Sequence, residues 1–182
     1  MDRLLRPFFF FMLFAASPAV TAASFMVSNS AGTASISNLD SYDDVMYLRL
    51  DVGFFPIPQI GFNIFINNYD DFQYNEADSL FSNTATNAVD LVLKGRGVGV
   101  TGRWPVNAHF QPYLRAEYFD WDLEARSLDR TVGKDSGGNL GIAVGAHFPI
   151  RKFFGFKAEA IQYNDISGAD IDHLALGLVF EF

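Results

Sequence analysis

Three histidines, His109, His147 and His173, are the side chains suited to proton transfer near neutral pH. A serine nucleophile needs a base held within hydrogen-bond reach. Ser167 is the serine that could approach His173, but nothing in the spacing demands it, so structural histidines are expected. Asp120, Asp122 and Glu124 alternate and therefore share one face of a strand. Such carboxylates can hold Ca²⁺ or Mg²⁺, yet the run supplies too few ligands for a calcium site and has no EF-hand-like loop, so a solvated rim is expected. No phosphate loop, zinc motif or cofactor fingerprint is present, and no metal or cofactor is expected.

A third set of residues carries charge without obvious chemistry. Arg49 and Asp51, Arg115 and Glu117, and Lys157 and Glu159 are opposite charges two positions apart. In a strand that spacing puts each pair on one face. With Arg103 and Glu181 they can form a charge network of both signs, the condition under which charges are tolerated in a protein interior.

These residues are positioned by strands. Met46, Leu48, Leu50, Val52 and Phe54 oppose Tyr47, Arg49, Asp51 and Gly53. Leu174, Leu176, Leu178, Phe180 and Phe182 oppose Ala175, Gly177, Val179 and Glu181, and the same period of two runs through 60–67 and 139–148. Counting back from the C-terminus predicts strands near 171–182, 154–164, 137–148, 110–125, 88–104, 58–69, 44–55 and 25–37, the first Ser-rich and poor in apolar residues. Phe55-Pro56, Trp104-Pro105 and Phe148-Pro149 are read as strand ends, because proline has no ladder donor. The other connections, about 38–44, 70–87, 126–137 and 164–170, are longer, polar and acidic. Gly95 and Gly97 suggest a bulge. Eight strands with alternating short and long connections place both termini beside the short turns. The expected fold is all-β: an eight-stranded antiparallel up-and-down transmembrane β-barrel.

The 182-residue chain has no cysteine and a formal charge of -8. It can form no disulfide, and an acidic protein repels the phosphates of nucleic acid. Arg3 and Arg6, an apolar core from Phe8 to Ala16 and small residues at Val20-Thr21-Ala22 read as a secretory signal over 1–22, with cleavage after 23 as the alternative. Residues 23–182 then form one barrel domain. After the signal, no apolar stretch is long enough to span a membrane as a helix.

Alternation does not by itself tell a membrane barrel from a soluble one, which buries its apolar face inward. Three features favour the membrane. The polar face carries charge pairs. It also carries Gly53, Gly61, Gly99, Gly141, Ala143, Gly145, Ala175 and Gly177, which leave room in a narrow lumen. Aromatics fall near strand ends, with Phe54, Trp104, Phe110, Phe148, Phe154 and Phe180 toward the short turns and Tyr69, Tyr118, Trp121 and Tyr163 toward the long loops, as in two interfacial girdles. Lys94 and Arg96 have outward parity and can reach lipid head groups or lipopolysaccharide phosphate, unless the glycine bulge turns them inward.

Phe156-Lys-Ala-Glu-Ala-Ile-Gln-Tyr163, Asn164-Asp-Ile-Ser-Gly-Ala-Asp-Ile-Asp172 and Leu174-Ala-Leu-Gly-Leu-Val-Phe-Glu-Phe182 resemble the closing hairpin of the OmpA-like and OmpX-like small outer-membrane barrels. The resemblance extends over Gln111-Pro-Tyr-Leu-Arg-Ala-Glu117 and Asn139-Leu-Gly-Ile-Ala-Val-Gly145, and is only architectural before about residue 110. It implies the outer membrane of a Gram-negative bacterium, and it implies that Phe182, with Phe180, is an assembly signal for the barrel-insertion machinery. It does not include the peptidoglycan-binding domain of OmpA. None of the histidines stands in the His-x-Ser-Asn context of lipid A deacylases.

The expected function is therefore a non-enzymatic outer-membrane barrel that supports the envelope or offers its surface loops for adhesion-type interaction. Expected partners are outer-membrane lipid and lipopolysaccharide, the barrel-assembly machinery, and a surface partner for acidic loops bearing Asp40, Asp43, Asp44, Asp70, Asp71, Glu76 and Asp78. The alternatives are a narrow channel, a lipid A modifying enzyme and a soluble periplasmic barrel for an apolar ligand.

Overall fold

The computed structural model describes residues 23–37, 42–73, 89–127 and 130–182. The signal segment and most of the connection at 70–87 lie outside them. Eight strands follow in chain order: β1 (Ser24–Ile36), β2 (Val45–Ile57), β3 (Ile60–Tyr69), β4 (Asp90–Arg103), β5 (Gln111–Ser127), β6 (Arg130–Arg151), β7 (Phe154–Ile166) and β8 (Ala169–Glu181). Each pairs antiparallel with the next, and β1 pairs with β8, so the sheet closes into a barrel with no lateral edge left in the ring. The closure is completed by the backbone of Phe25 and Phe182, which exchange hydrogen bonds of 3.0 and 2.8 Å.

The alternation sorts the side chains as predicted. Leu48, Leu50, Ile64, Ile66, Ile142, Val144, Leu174 and Leu176 all point outward, and Leu140 is 73% exposed. Arg49, Asp51, Arg115, Glu117, Lys157 and Glu159 point inward and are buried. This is the reverse of a soluble barrel, and an exterior of this kind is satisfied by hydrocarbon. The Ser-rich β1 holds its place through backbone ladders on both sides, with Ser28 and Ser30 inward.

Several boundaries differ from expectation. Only the proline after Trp104 lies beyond its strand. β2 continues through Pro56, and β6 continues through Pro149. In both places the ladder shifts register, at Phe54/Ile57 and Pro149/Arg151, so an irregularity takes up the missing donor. The connection expected at 126–137 is mostly strand: β5 and β6 stay paired up to Ser127 and Arg130. The connection expected at 164–170 shrinks to a two-residue turn. Ser167 and Gly168 there have φ of 53° and 85°, the positive pair that a tight hairpin turn of primed type requires. The glycines of β4 make no bulge, since its ladders to β3 and β5 run without a shift. Gly97 is instead a clearance: a Cβ there would meet the ring of Phe65.

Candidate functional site

The inward face is layered from the short-turn end to the loop end. At the short-turn end, the Arg103 guanidinium on β4 donates to both carboxylate oxygens of Glu181 on β8, at 2.9 and 3.1 Å, and to the Pro58 carbonyl at 3.1 Å. Ser24 adds a donor to Glu181 at 2.8 Å, and the guanidinium lies 4.3 Å from the Phe55 ring centroid. His147 is buried here, with Nδ1 4.0 Å from Glu181.

The middle layer joins the other six predicted residues. Arg49 on β2 donates to Glu117 on β5 at 2.5 Å and to Asp51 at 3.2 Å. Arg115 meets Asp51 at 3.1 Å, Glu159 on β7 at 2.8 Å, and Glu117 through Nε. Lys157 lies 3.0 Å from Glu159 and 4.0 Å from Asp51. Two tyrosines finish the carboxylates: the Tyr163 hydroxyl donates to Glu117 at 2.5 Å, and that of Tyr113 to Glu159 at 2.7 Å. Three cations thus face three carboxylates, so the cluster is neutral in sum. Buried charges persist only with such partners of both signs. The in-strand pairs expected from sequence do touch, but the bonds that cross the lumen tie β2, β5 and β7 together.

Toward the loops the lumen is aromatic, which the sequence reading missed. Tyr69, Trp121 and Tyr163, assigned there to an outer girdle, are buried inside, and of that set only Tyr118 faces outward. They pack with Tyr47, Phe65, Phe72 and Phe119 in one cluster. His173 stands among Tyr47, Tyr69 and Tyr163, with ring centroids 4.6 to 5.4 Å away, and its Nε2 is 2.9 Å from the Tyr69 hydroxyl. The signal was present in the parity: Trp121 shares the face of Glu117, and Tyr163 that of Glu159. Above this cluster, Ile36, Phe72, Leu91, Leu93, Leu123, Ile166 and Ile171 line an apolar cup of about 210 Å³. Phe72, placed in a loop by the sequence, is 1% exposed and pairs with Leu91.

The remaining candidates separate. Ser167 donates to Asp135 at 2.6 Å while His173 is engaged by Tyr69, so the structure does not bring that pair together. His109 is exposed, with Nδ1 3.2 Å from the Pro149 carbonyl. Asp120, Asp122 and Glu124 lie on the outer surface. Asp120 pairs with Arg96 at 3.2 Å, and Glu124 accepts from Lys134 at 2.5 Å and Arg126 at 3.1 Å. Those donors hold the Glu124 carboxyl below the usual carboxylate range. No group of three or more metal-binding side chains occurs among the described residues.

What this interior can do chemically is limited. A space beside Arg103, His147 and Lys157 has about 20 Å³, enough for about one water. Among the described residues, the lumen is occupied by packed side chains, as is usual for a barrel of eight strands.

No protein-family model matches the chain, and no curated protein matches its sequence. Solved structures do share its fold. Neisserial surface protein A is similar with a TM-score of 0.64 at 14% identity, over 88% of this chain and 99% of that one. The outer membrane protein OprG of Pseudomonas aeruginosa gives 0.64 at 10% identity, over 89% and 96%. Ail, the attachment invasion locus protein of Yersinia pestis, gives 0.56 at 13% identity, over 88% and 97%. The fold is therefore that of the small eight-stranded outer-membrane barrels, as the C-terminal sequence resemblance implied.

Proposed function

We propose that this protein is a non-enzymatic outer-membrane barrel that anchors in lipid and presents its loop end for interaction at the surface. One observation carries the reading: a closed barrel with an apolar exterior and a neutral, ion-paired interior. Such a body is stable in a bilayer and exposes unpaired apolar surface anywhere else. In this reading residues 1–22 direct export and are removed. The C-terminal strand ending in Phe180 and Phe182 is what the assembly machinery engages. The acidic connections, of which the one between β3 and β4 is the longest, are where a surface partner is met.

Fractionation with SDS gels of heated and unheated envelope tests this. Recovery with the outer membrane and a mobility shift on boiling is expected. A soluble periplasmic protein with no shift would overturn it. Deleting residues 75–87 should leave a barrel that still inserts. The deletion must spare Phe72, which is part of the barrel interior. The channel reading is disfavoured by the filled lumen, and the enzyme reading by the hydrogen bond that occupies His173. An unchanged lipid A mass spectrum in cells carrying His173→Ala is the expected result.

A further inference from the structure

The cup at the loop end is apolar at a place where the barrel mouth meets water. Phe72, Leu93, Ile166 and Ile171 are buried in its wall, while Leu91 and Leu123 are only partly buried, so it opens toward the loops. Its volume of about 210 Å³ suits one large side chain, since an apolar cavity of about 150 Å³ takes one benzene ring.

The rim on two sides of this cup carries charge of one sign. Asp70 and Asp71 precede Phe72, and Asp165, Asp170 and Asp172 adjoin Ile166 and Ile171. The first group follows β3 and the second flanks the β7–β8 turn, four strands away in a ring of eight, so the two face each other across the mouth. Asp170 and Asp172 accept from the Asp165 backbone and from Ser37, contacts that hold them without neutralising them. Among the described residues none of these five carboxylates is in an ion pair. The cations of this end, Lys94, Arg96, Arg126, Arg130 and Lys134, stand on β4, β5 and β6, where Asp120 engages Arg96 and Glu124 engages Arg126 and Lys134.

Eight strands ~4.8 Å apart and tilted by ~40° close into a ring ~16 Å across. An extended chain rises ~3.3 Å per residue and puts every second side chain on one face. A basic, an apolar and a second basic residue at alternate positions therefore face the mouth together and span ~13 Å. The outer two then reach the two acidic groups as the central one enters the cup. A single amine would leave one acidic group unmatched, and an anionic lipid would be repelled by both.

We propose that the loop end binds an extended basic segment of a partner polypeptide, of the pattern basic–x–apolar–x–basic, with the central side chain in the cup. The inference deepens the surface-interaction reading above and rests on it.

The test titrates labelled, end-blocked peptides with the full folded barrel in an uncharged detergent, read by fluorescence anisotropy. The sequence Lys-Ser-Phe-Ser-Lys is expected to bind. Lys-Ser-Ala-Ser-Lys should bind at least tenfold more weakly, for want of a ring to bury. Ser-Lys-Phe-Lys-Ser, with the same composition but its cations on the other face, should also bind more weakly, and Glu-Ser-Phe-Ser-Glu should not bind. Asp70→Asn with Asp71→Asn, and Asp170→Asn with Asp172→Asn, should each weaken the first peptide by up to about fivefold, the upper range for an exposed ion pair. Ala169→Leu adds bulk to the cup wall and should remove the advantage of Phe over Ala while keeping the dependence on charge. Equal binding of the Phe and Ala peptides, equal binding of the Lys and Glu peptides, or aspartate variants without effect would overturn the proposal. So would binding by the 75–87 deletion but not by the wild type, which would give the cup to the chain's own connection. A protein that fractionates with the outer membrane and shifts on heating, yet binds no peptide, refutes the site alone. A soluble, unshifted protein refutes the reading on which the site rests.

Discussion

Arg115 touches three carboxylates, Asp51, Glu117 and Glu159, and borders a space of only about 20 Å³. Arg115→Ala leaves these acids buried beside fewer cations, and breaking a buried pair by removing one partner costs about 3–5 kcal/mol. The expected result is a matching loss in unfolding free energy of the reconstituted barrel in a urea titration. Arg96→Ala removes an equally well-formed pair on the outside, and exposed pairs contribute only about 0–1 kcal/mol. If the two substitutions cost the same, the interior cluster is not what holds the barrel closed. The inward parity of these eight residues was legible because a strand fixes the face of every second side chain. Their partners were not legible. Arg49 and Glu117 are 68 positions apart, and only the register of three successive hairpins brings them together. Tyr163, which completes Glu117, was misplaced because proximity to a strand end was given more weight than parity, and Tyr113, which completes Glu159, was given no role.

At the scale of elements, the turns show where sequence patterning stops. Asp165, Ser167 and Gly168 all have positive φ, and the ladder shifts between Tyr163 and Ile166, so a bulge and a tight turn replace the expected loop. A side chain at Gly168 meets nothing within 4 Å, which leaves backbone strain as the cost of substitution. Gly168→Ala is expected to destabilise by about 1 kcal/mol, read as a lower urea midpoint without a change in slope. The β5–β6 hairpin was cut short in the sequence reading because its distal part is polar on both faces, and polar alternation carries no hydrophobic period. Above Gly141, β6 pairs with β5 but not with β7, and Glu124, Lys134 and Arg126 lie near the tip. The depressed Glu124 carboxyl fixes a sign. Its contacts are complete above the ordinary carboxylate pKa and are lost as pH falls through the lower folded value. A carboxyl titration by NMR should place the Glu124 midpoint below that of an unperturbed glutamate. Lys134→Gln should move it back upward, because Lys134 supplies the first of the two donors.

For the whole molecule the decisive property is how polarity is layered along the lumen. The short-turn end is sealed by the Arg103–Glu181 pair, the middle by six interlocked charges, and the loop end by stacked aromatics beneath an apolar cup. An ion crossing from the cup would first lose its hydration shell among Leu91, Leu93, Leu123 and Ile171, a large cost in an apolar setting. It would then have to displace a cation or a carboxylate from a partner already in contact. Neither step is compensated, so the barrel is expected to give no steady conductance as a single protein in a planar bilayer. Glu117→Ala with Arg49→Ala deletes one partner of each sign and keeps the remaining cluster near neutrality while opening space in the middle layer. That variant still retains the aromatic layer above it, where Phe119 and Tyr163 stack at 4.4 Å. It too is expected to stay silent. Conductance in the double variant alone would place the seal in the charges and leave the aromatics as a permeable collar. Conductance in the wild type would show that the packed interior opens as a unit, and the anchoring role would then have to yield to transport.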